Sequence, residues 1–159
     1  HTTLAIAGQR YLRRGEPPFR DARVKAAVAF SPTARERAGD LDAQFGAIAI
    51  PVMSITGTED GDVIGTGATP ASRTLPFAHM KPGGKYLTVF EGADHMVFGG
   101  QVLHRAERPR DREIREDVKA LTLAFWDAHL RSRDEARAWL AGEGARARLA
   151  AGDRLEAKP

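Results

Sequence analysis

The stretch IAIPVMSITGTED, residues 48–60, decides the fold class of this chain. It joins a mostly apolar run, residues 48–55, to a short segment of small and acidic residues that ends at Asp60. Apolar residues at consecutive positions, bounded by turn residues, are typical of a strand that is buried on both faces. Residues 48–55 are therefore predicted to form a strand of a parallel sheet.

Two further apolar runs have the same character. Residues 24–30 (VKAAVAF) and 86–90 (YLTVF) are each followed by turn residues, and residues 34–45 and 70–80 between the runs are long enough for helices. Strands that alternate with helices predict a parallel α/β sheet. Three buried strands alone would leave one edge bare, so further strands are expected before His1.

A long amphipathic helix is predicted after Pro109. Apolar residues recur there at spacings of four, three, four and three, which places them on one face of a helix. This helix would complete the α/β arrangement as its closing element. Its apolar face consists of Ile114, Val118, Leu121, Phe125 and Ala128.

The chain is assigned to a single domain. No internal repeat and no linker divides residues 1–159. Residues from about 132 to 159 are expected to form a peripheral tail, helical through Leu140 and charged at its end, because Gly142 and Gly144 weaken the helical pattern.

Composition excludes several classes of function. No apolar run approaches the roughly 20 residues of a membrane helix, so no membrane span is predicted. Absence of cysteine excludes disulfides and thiolate metal sites. The net charge is +3, but basic and acidic residues alternate in the segment 105–117 (RAERPRDREIRED) and aromatic residues make up only 7% of the chain, so no nucleic-acid partner is predicted.

A metal site is not predicted either. His1, His79, His104 and His129 have no carboxylate or histidine at ligand spacing on a shared face. No HExxH pattern occurs in the sequence.

Asp60 and His95 are the candidate functional residues. Functional groups of an open parallel sheet lie at the carboxyl ends of its strands. Asp60 follows the second predicted strand and His95 follows the third, so the two are expected to be neighbours although they are 35 positions apart. A buried carboxylate bonded to one imidazole nitrogen fixes the tautomer and leaves the other nitrogen free to take a proton. Glu59 and Asp62 are rival acids, and Asp94 is interpreted as a turn or cap residue.

These elements together resemble a known superfamily. A strand followed by GTED, a helix, a strand followed by GADH and a closing amphipathic helix resemble the C-terminal half of an α/β-hydrolase, in detail the dienelactone hydrolase and esterase branch. The resemblance covers nearly the whole chain. It implies the end portion of a mostly parallel α/β-hydrolase sheet flanked by helices. It also implies a triad in the order nucleophile, acid, histidine, with Asp60 as the acid and His95 as the base.

The nucleophile that the resemblance implies has no counterpart in the printed sequence. The family places it in a GxSxG turn, and none of Ser31, Ser54, Ser72 and Ser132 lies in such a pattern. The segment HTTLAIAG, residues 1–8, resembles the helix that follows this turn, which would put the serine and the oxyanion hole before His1.

The resemblance therefore implies a serine hydrolase that acts on carboxylic esters, with a small-molecule ester as its substrate, through an acyl-enzyme and without a cofactor. The 159-residue chain by itself is expected to be inactive. Two alternatives stay open: a non-catalytic binding or scaffold protein of the same fold, and a hydrolase of lactone, amide or carbon–halogen bonds.

Overall fold

A computed structural model describes residues 2–11, 19–35, 39–63, 65, 67–99 and 106–159. These residues form an α/β structure around one sheet with the strand order β1-β2-β3-β4. The first three strands are mutually parallel, and the fourth is antiparallel to the third. The predicted α/β class with a mostly parallel sheet is thus confirmed. The strands are β1 (Ala27–Phe30), β2 (Val52–Glu59), β3 (Lys85–Asp94) and β4 (Arg154–Lys158).

Helices flank this sheet. A short 3-10 helix, Val97–Gly99, follows β3. The α-helices are α1 (Thr2–Ala7), α2 (Leu41–Phe45), α3 (Pro70–Ala78), α4 (Asp111–Leu130), α5 (Asp134–Ala141) and α6 (Glu143–Arg148).

Both faces of the sheet are buried. Side chains alternate along β2, so Met53 and Ile55 join one core cluster with Phe125 of α4. Val52 joins the opposite cluster with Phe45 of α2. Burial on both faces explains why the strand is apolar at consecutive positions, as parallel sheets require.

Helix α4 matches the predicted amphipathic helix. Ile114, Leu121, Phe125 and Ala128 are at most 1% exposed, and Val118 is partly buried against the same cluster. The spacing of apolar residues therefore identified both the helix and its buried face correctly.

Strands β2 and β3 extend further toward their carboxyl ends than predicted. The sequence indicated strands over 48–55 and 86–90, whereas β2 begins only at Val52 and ends at Glu59, and β3 continues to Asp94. Pairing of the two strands beyond the predicted end of β2 includes Gly57 with Phe90 and Glu59 with Asp94. A side chain at Gly57 would overlap the carbonyl of Ala93, so glycine permits a close approach of the two strands there. The small residues at 56–58, which are typical of turns, therefore lie within strand β2.

Helix α2 is shorter than the segment predicted from 34 to 45. It begins at Leu41, where Asp40 caps it by accepting a hydrogen bond from the Ala43 amide at 2.9 Å. Gly39 precedes this cap with a φ of 89°, a value incompatible with a continuing helix. Residues 36–38 of the predicted segment lie outside the described residues.

The prediction of a peripheral tail over 132–159 is wrong at its end. Residues 154–158 form β4, in which Leu155 is buried and pairs with Thr88 of β3. Lys158 Nζ donates hydrogen bonds to the carbonyls of Phe77, Ala78 and Met80 at the end of α3. Because one face of this strand carries charged residues, its sequence RLEAK gives only a weak strand pattern.

In the part of the chain that the structure describes, none of the helices combines the length and the apolar character needed to cross a membrane.

Two leucines of α4 test the assignment of its buried face. Leu121 is 0% exposed and Leu123 is 60% exposed. We expect Leu121→Ala to lower the free energy of unfolding by about 2–5 kcal/mol, because it leaves a cavity in the core. Leu123→Ala, the same chemical change, should cost less than about 0.5 kcal/mol. Urea denaturation of both variants measures the difference, and equal losses would contradict the orientation of the helix.

Candidate active site

Asp60 lies directly after β2 with a completely buried side chain. Its Oδ2 accepts a hydrogen bond of 2.7 Å from Thr56 Oγ1, and its backbone amide donates to the carbonyl of Gly57 at 3.2 Å. Strand β2 thus fixes both the backbone and one carboxylate oxygen of Asp60.

His95 lies directly after β3 and meets Asp60. Its Nδ1 is 2.9 Å from Asp60 Oδ1. An ionised carboxylate only accepts hydrogen bonds, so Nδ1 carries the proton in this bond and Nε2 is the nitrogen that can take one. The His95 side chain is 35% exposed, against 0% for Asp60. The pair therefore has a buried acceptor and a solvent-accessible base.

The rival acids bind elsewhere. The Glu59 carboxylate, 55% exposed, forms an ion pair of 2.6 Å with Arg108. Asp62 is exposed and accepts a hydrogen bond from the Gly67 amide. Of the three acids that the sequence left open, the structure pairs Asp60 with His95.

Asp94 shapes the turn that carries His95. Its Oδ1 accepts hydrogen bonds from the amides of Met96 at 3.0 Å and Val97 at 3.2 Å. This arrangement starts the 3-10 helix and confirms the interpretation of Asp94 as a turn residue.

Arg108 forms polar contacts with the carboxyl ends of both β2 and β3, and the sequence pattern did not predict this role. Its Nη1 donates to Glu59 Oε2 after β2 and to the carbonyl of Gly92 in β3, at 2.6 and 3.1 Å. Its Nη2 lies 3.3 Å from Asp94 Oδ2. The sequence suggested only a solvated face here, because alternating charges do not reveal which carboxylates a long side chain reaches.

Arg73 of α3 is the second group that the sequence did not reveal. Its side chain is 7% exposed, and its Nε lies 3.3 Å from Asp60 Oδ1, the oxygen that His95 also contacts. A lone arginine in a predicted helix has no pattern that distinguishes a buried position from a surface one.

His79 serves as a comparison for His95. Its Nδ1 is 2.8 Å from Asp42 Oδ1, but the Asp42 side chain is 84% exposed. Such a surface pair contributes little and leaves the ring weakly oriented. Of the histidines whose placement is described, His95 is the one bonded to a buried carboxylate; His1 and His104 lie outside the described residues.

His129 is a packing residue. Its ring centroid lies 4.8 Å from that of Phe125, and its Nε2 is 3.4 Å from the Tyr86 hydroxyl. Burial, and then the positive charges of Arg137 and Lys85, lower the pKa of His129 below the usual value of 6.5.

Apolar residues adjoin His95. Val97 is 1% exposed and belongs to the core, whereas Met96 is half-buried. The Phe98 ring lies 6.4 Å from Phe90 and 6.2 Å from Phe30, which is 45% exposed at the end of β1. Val97 is therefore a core residue, and the aromatic pair of Phe98 and Phe30 extends from the core toward the surface.

The four serines of the chain are all described and occupy other positions. Ser31 follows β1, Ser54 is fully buried within β2, Ser72 lies in the first turn of α3, and Ser132 follows α4. None of them forms a hydrogen bond with His95 among the described contacts. Across the same residues, no group of three or more histidines, cysteines, aspartates or glutamates is placed to hold a metal ion.

Gly57 tests the close approach of β2 and β3 beside the site. We expect Gly57→Ala to lower the free energy of unfolding by about 1–3 kcal/mol, because the new methyl overlaps the Ala93 carbonyl. Gly61→Ala is the matched control, since a Cβ there would lie 3.9 Å from the nearest atom, the carbonyl oxygen of Glu59. Chemical denaturation compares the two, and equal stability would show that the strands do not need the glycine.

His129 predicts a pH dependence of stability. Because its folded pKa lies below 6.5, folding favours the neutral ring. The corresponding stability is present above pH 6.5 and is lost as the pH falls through the folded pKa. We expect His129→Gln to reduce this loss in urea titrations between about pH 7 and pH 5. His79→Gln is the control at a histidine that pairs with an exposed carboxylate, and an unchanged slope in His129→Gln would contradict the assignment.

Comparison of the chain with known protein families gave no match, and a search among curated proteins gave none either. The assignment of function therefore depends on the chemistry of the Asp60 and His95 pair.

Proposed function

We propose that this chain supplies the acid and the base of a serine hydrolase of the α/β-hydrolase fold, similar to dienelactone hydrolases and esterases, that acts on carboxylic esters. The observation that carries the proposal is the 2.9 Å contact between His95 Nδ1 and Asp60 Oδ1 at the adjacent carboxyl ends of β2 and β3. No cofactor is part of the proposal.

The burial of the two side chains suits these roles. Asp60 is withdrawn from water, where its attraction for a protonated imidazole is screened less than at the surface. It would hold the His95 ring in one tautomer and stabilise the imidazolium that forms. The exposed third of the His95 side chain leaves room for a reacting group at Nε2.

The proposed reaction has two steps. A serine hydroxyl attacks the ester carbonyl carbon while His95 Nε2 takes its proton, and the same proton then passes to the departing alcohol oxygen. In the second step water attacks the acyl-enzyme, His95 takes one of its protons, and that proton returns to the serine oxygen as the acid departs. The resemblance implies that this serine and the oxyanion donors belong to sequence before His1.

The sheet supports the fold part of the proposal. Strand β1 lies at one edge of the described sheet, yet Ala27 and Ala29 are less than 10% exposed and Val28 packs against the opposite core cluster. A parallel strand covered on both faces is typical of a sheet interior. Further strands beside β1 would make these four strands the end portion of a larger α/β-hydrolase sheet.

The open alternatives differ in what they do with the same pair. Cleavage of a lactone, an amide or a carbon–halogen bond would use the same acid and base with another nucleophile or leaving group. A binding or scaffold protein would retain the pair without a nucleophile. A panel of ester, lactone, amide and haloalkane substrates separates the chemistries.

Intact-mass analysis with a fluorophosphonate, which labels activated serines, tests the proposal. We expect the natural protein, expressed from its complete reading frame, to have a mass above 17.3 kDa and to gain one adduct. The adduct should be lost in His95→Ala and retained in His79→Ala, since His79 pairs with an exposed carboxylate. The 159-residue chain alone should gain none.

Substitution of the candidate acid tests the proposal through the rate of ester hydrolysis. Asp60→Asn should lower kcat for an ester by about 10⁴-fold, the magnitude known for loss of the triad carboxylate in other serine hydrolases. Asp62→Asn, a change of the same kind at an exposed residue two positions away, should leave kcat unchanged.

In the labelling experiment, a larger mass without an adduct would favour the non-catalytic alternative. An adduct on the 159-residue chain would contradict an upstream nucleophile.

A further inference from the structure

We propose that Arg73 is a positioning residue that holds the ends of β1 and β2 so that Asp60 presents Oδ1 to His95. Its importance for a reaction rests on the proposed function. The geometry and the test concern the Asp60 and His95 pair itself and need no activity.

Arg73 binds three backbone carbonyls. Its Nη1 donates to Ser31 after β1 at 2.8 Å, its Nη2 donates to Gly61 at 2.9 Å, and its Nε donates to Asp60 at 3.2 Å. Only a guanidinium presents donors in a fixed planar fork of this width. The side chain therefore fixes the backbone at Asp60 and directly after it, and ties this segment to the neighbouring strand end.

The same guanidinium acts on the Asp60 carboxylate. Thr56 Oγ1 donates a hydrogen bond to Asp60 Oδ2. His95 Nδ1 and Arg73 Nε lie 2.9 and 3.3 Å from the other carboxylate oxygen, Oδ1. Donors on both oxygens prevent the carboxylate from rotating away from the imidazole. Arg73 thus contributes to the orientation of the acceptor although no contact between Arg73 and the His95 ring is required.

Burial makes the charge of Arg73 important. The Asp60 side chain is 0% exposed and the Arg73 side chain is 7% exposed, so water hydrates neither charge to a significant extent. A buried carboxylate whose partner is removed is strongly destabilised. Without Arg73, the Asp60 segment would be expected to turn toward water, and His95 would lose its acceptor.

The start of α3 holds Arg73 in place. Thr69 and Ser72 form a capping box, and Ser72 Oγ lies 2.9 Å from Thr33 Oγ1 in the segment that leaves β1. Ser31 has a φ of 47°, in the left-handed region that a serine rarely adopts, and its carbonyl is one of the three that Arg73 binds. Such an arrangement persists only where surrounding contacts enforce it.

Nitrogen NMR of the histidine rings tests the proposal on the chain itself. At mildly alkaline pH the ¹⁵N shifts distinguish a ring protonated on Nδ1 from one protonated on Nε2, and His95→Gln identifies the His95 signals. Arg110→Met is the control for Arg73→Met. Arg110 also pairs with a fully buried carboxylate, that of Asp153, at 2.8 Å, but it lies outside the Asp60 and His95 pair.

We expect His95 to be protonated on Nδ1 in the unchanged chain. In Arg73→Met the ring should shift toward the Nε2 form, and its low-field Nδ1 proton signal should be lost. Arg110→Met should lose stability without this shift. A folded Arg73→Met with the original His95 pattern would overturn the proposal.

A second variant decides the question if Arg73→Met does not fold. Arg73→Lys retains the charge, but a single ammonium cannot reach all three carbonyls in the same geometry. A partial shift toward the Nε2 form is expected, and an unchanged pattern would overturn the proposal. If the tautomer shifts with Arg73 but the natural protein fails fluorophosphonate labelling, the positioning role stands and the hydrolase proposal fails.

Discussion

A carboxylate withdrawn from water at the end of β2 is the constraint on which the candidate site depends. An ion in this position is tolerated only if donors surround it, because its lost hydration must be replaced. Thr56 and His95 supply hydrogen-bond partners from a strand and a turn, and Arg73 supplies a positive charge from a helix. The position of Asp60 therefore links the geometry of β2, the turn after β3 and the start of α3, and the orientation of the candidate base follows from it.

The pattern of apolar residues predicted the parts of the structure that burial controls. Strands β2 and β3 appear in the sequence as runs of buried residues, and α4 appears through the spacing of Leu121 and Phe125. The neighbouring positions of Asp60 and His95 followed from the same reasoning, because parallel strands bring their carboxyl ends to one edge. Ends of elements were predicted less well, since Gly57 is typical of a turn but here lies within a strand pair.

The contacts of long polar side chains could not be predicted. Arg73 and Arg108 carry no periodic pattern, and their partners lie 12 to 49 positions away in the sequence. Strand β4 was missed for a related reason, since a strand with a single buried residue, Leu155, has no alternation that exceeds chance. Such features depend on the assembled sheet, so they become visible only when the neighbouring elements are in place.

The final strand has a consequence for the behaviour of the chain in solution. Strand β4 occupies the backbone donors and acceptors along one side of β3, an apolar strand that would otherwise offer them to other molecules. Its charged side chains, Arg154, Glu156 and Lys158, project from the sheet face on which α3 packs, and charges of this kind on an edge strand discourage pairing between molecules. Proteolytic trimming of these residues would open the edge of β3 and release the last turn of α3 at the same time. Strand β4 thus covers an edge at which the sheet would otherwise be open to pairing with other molecules.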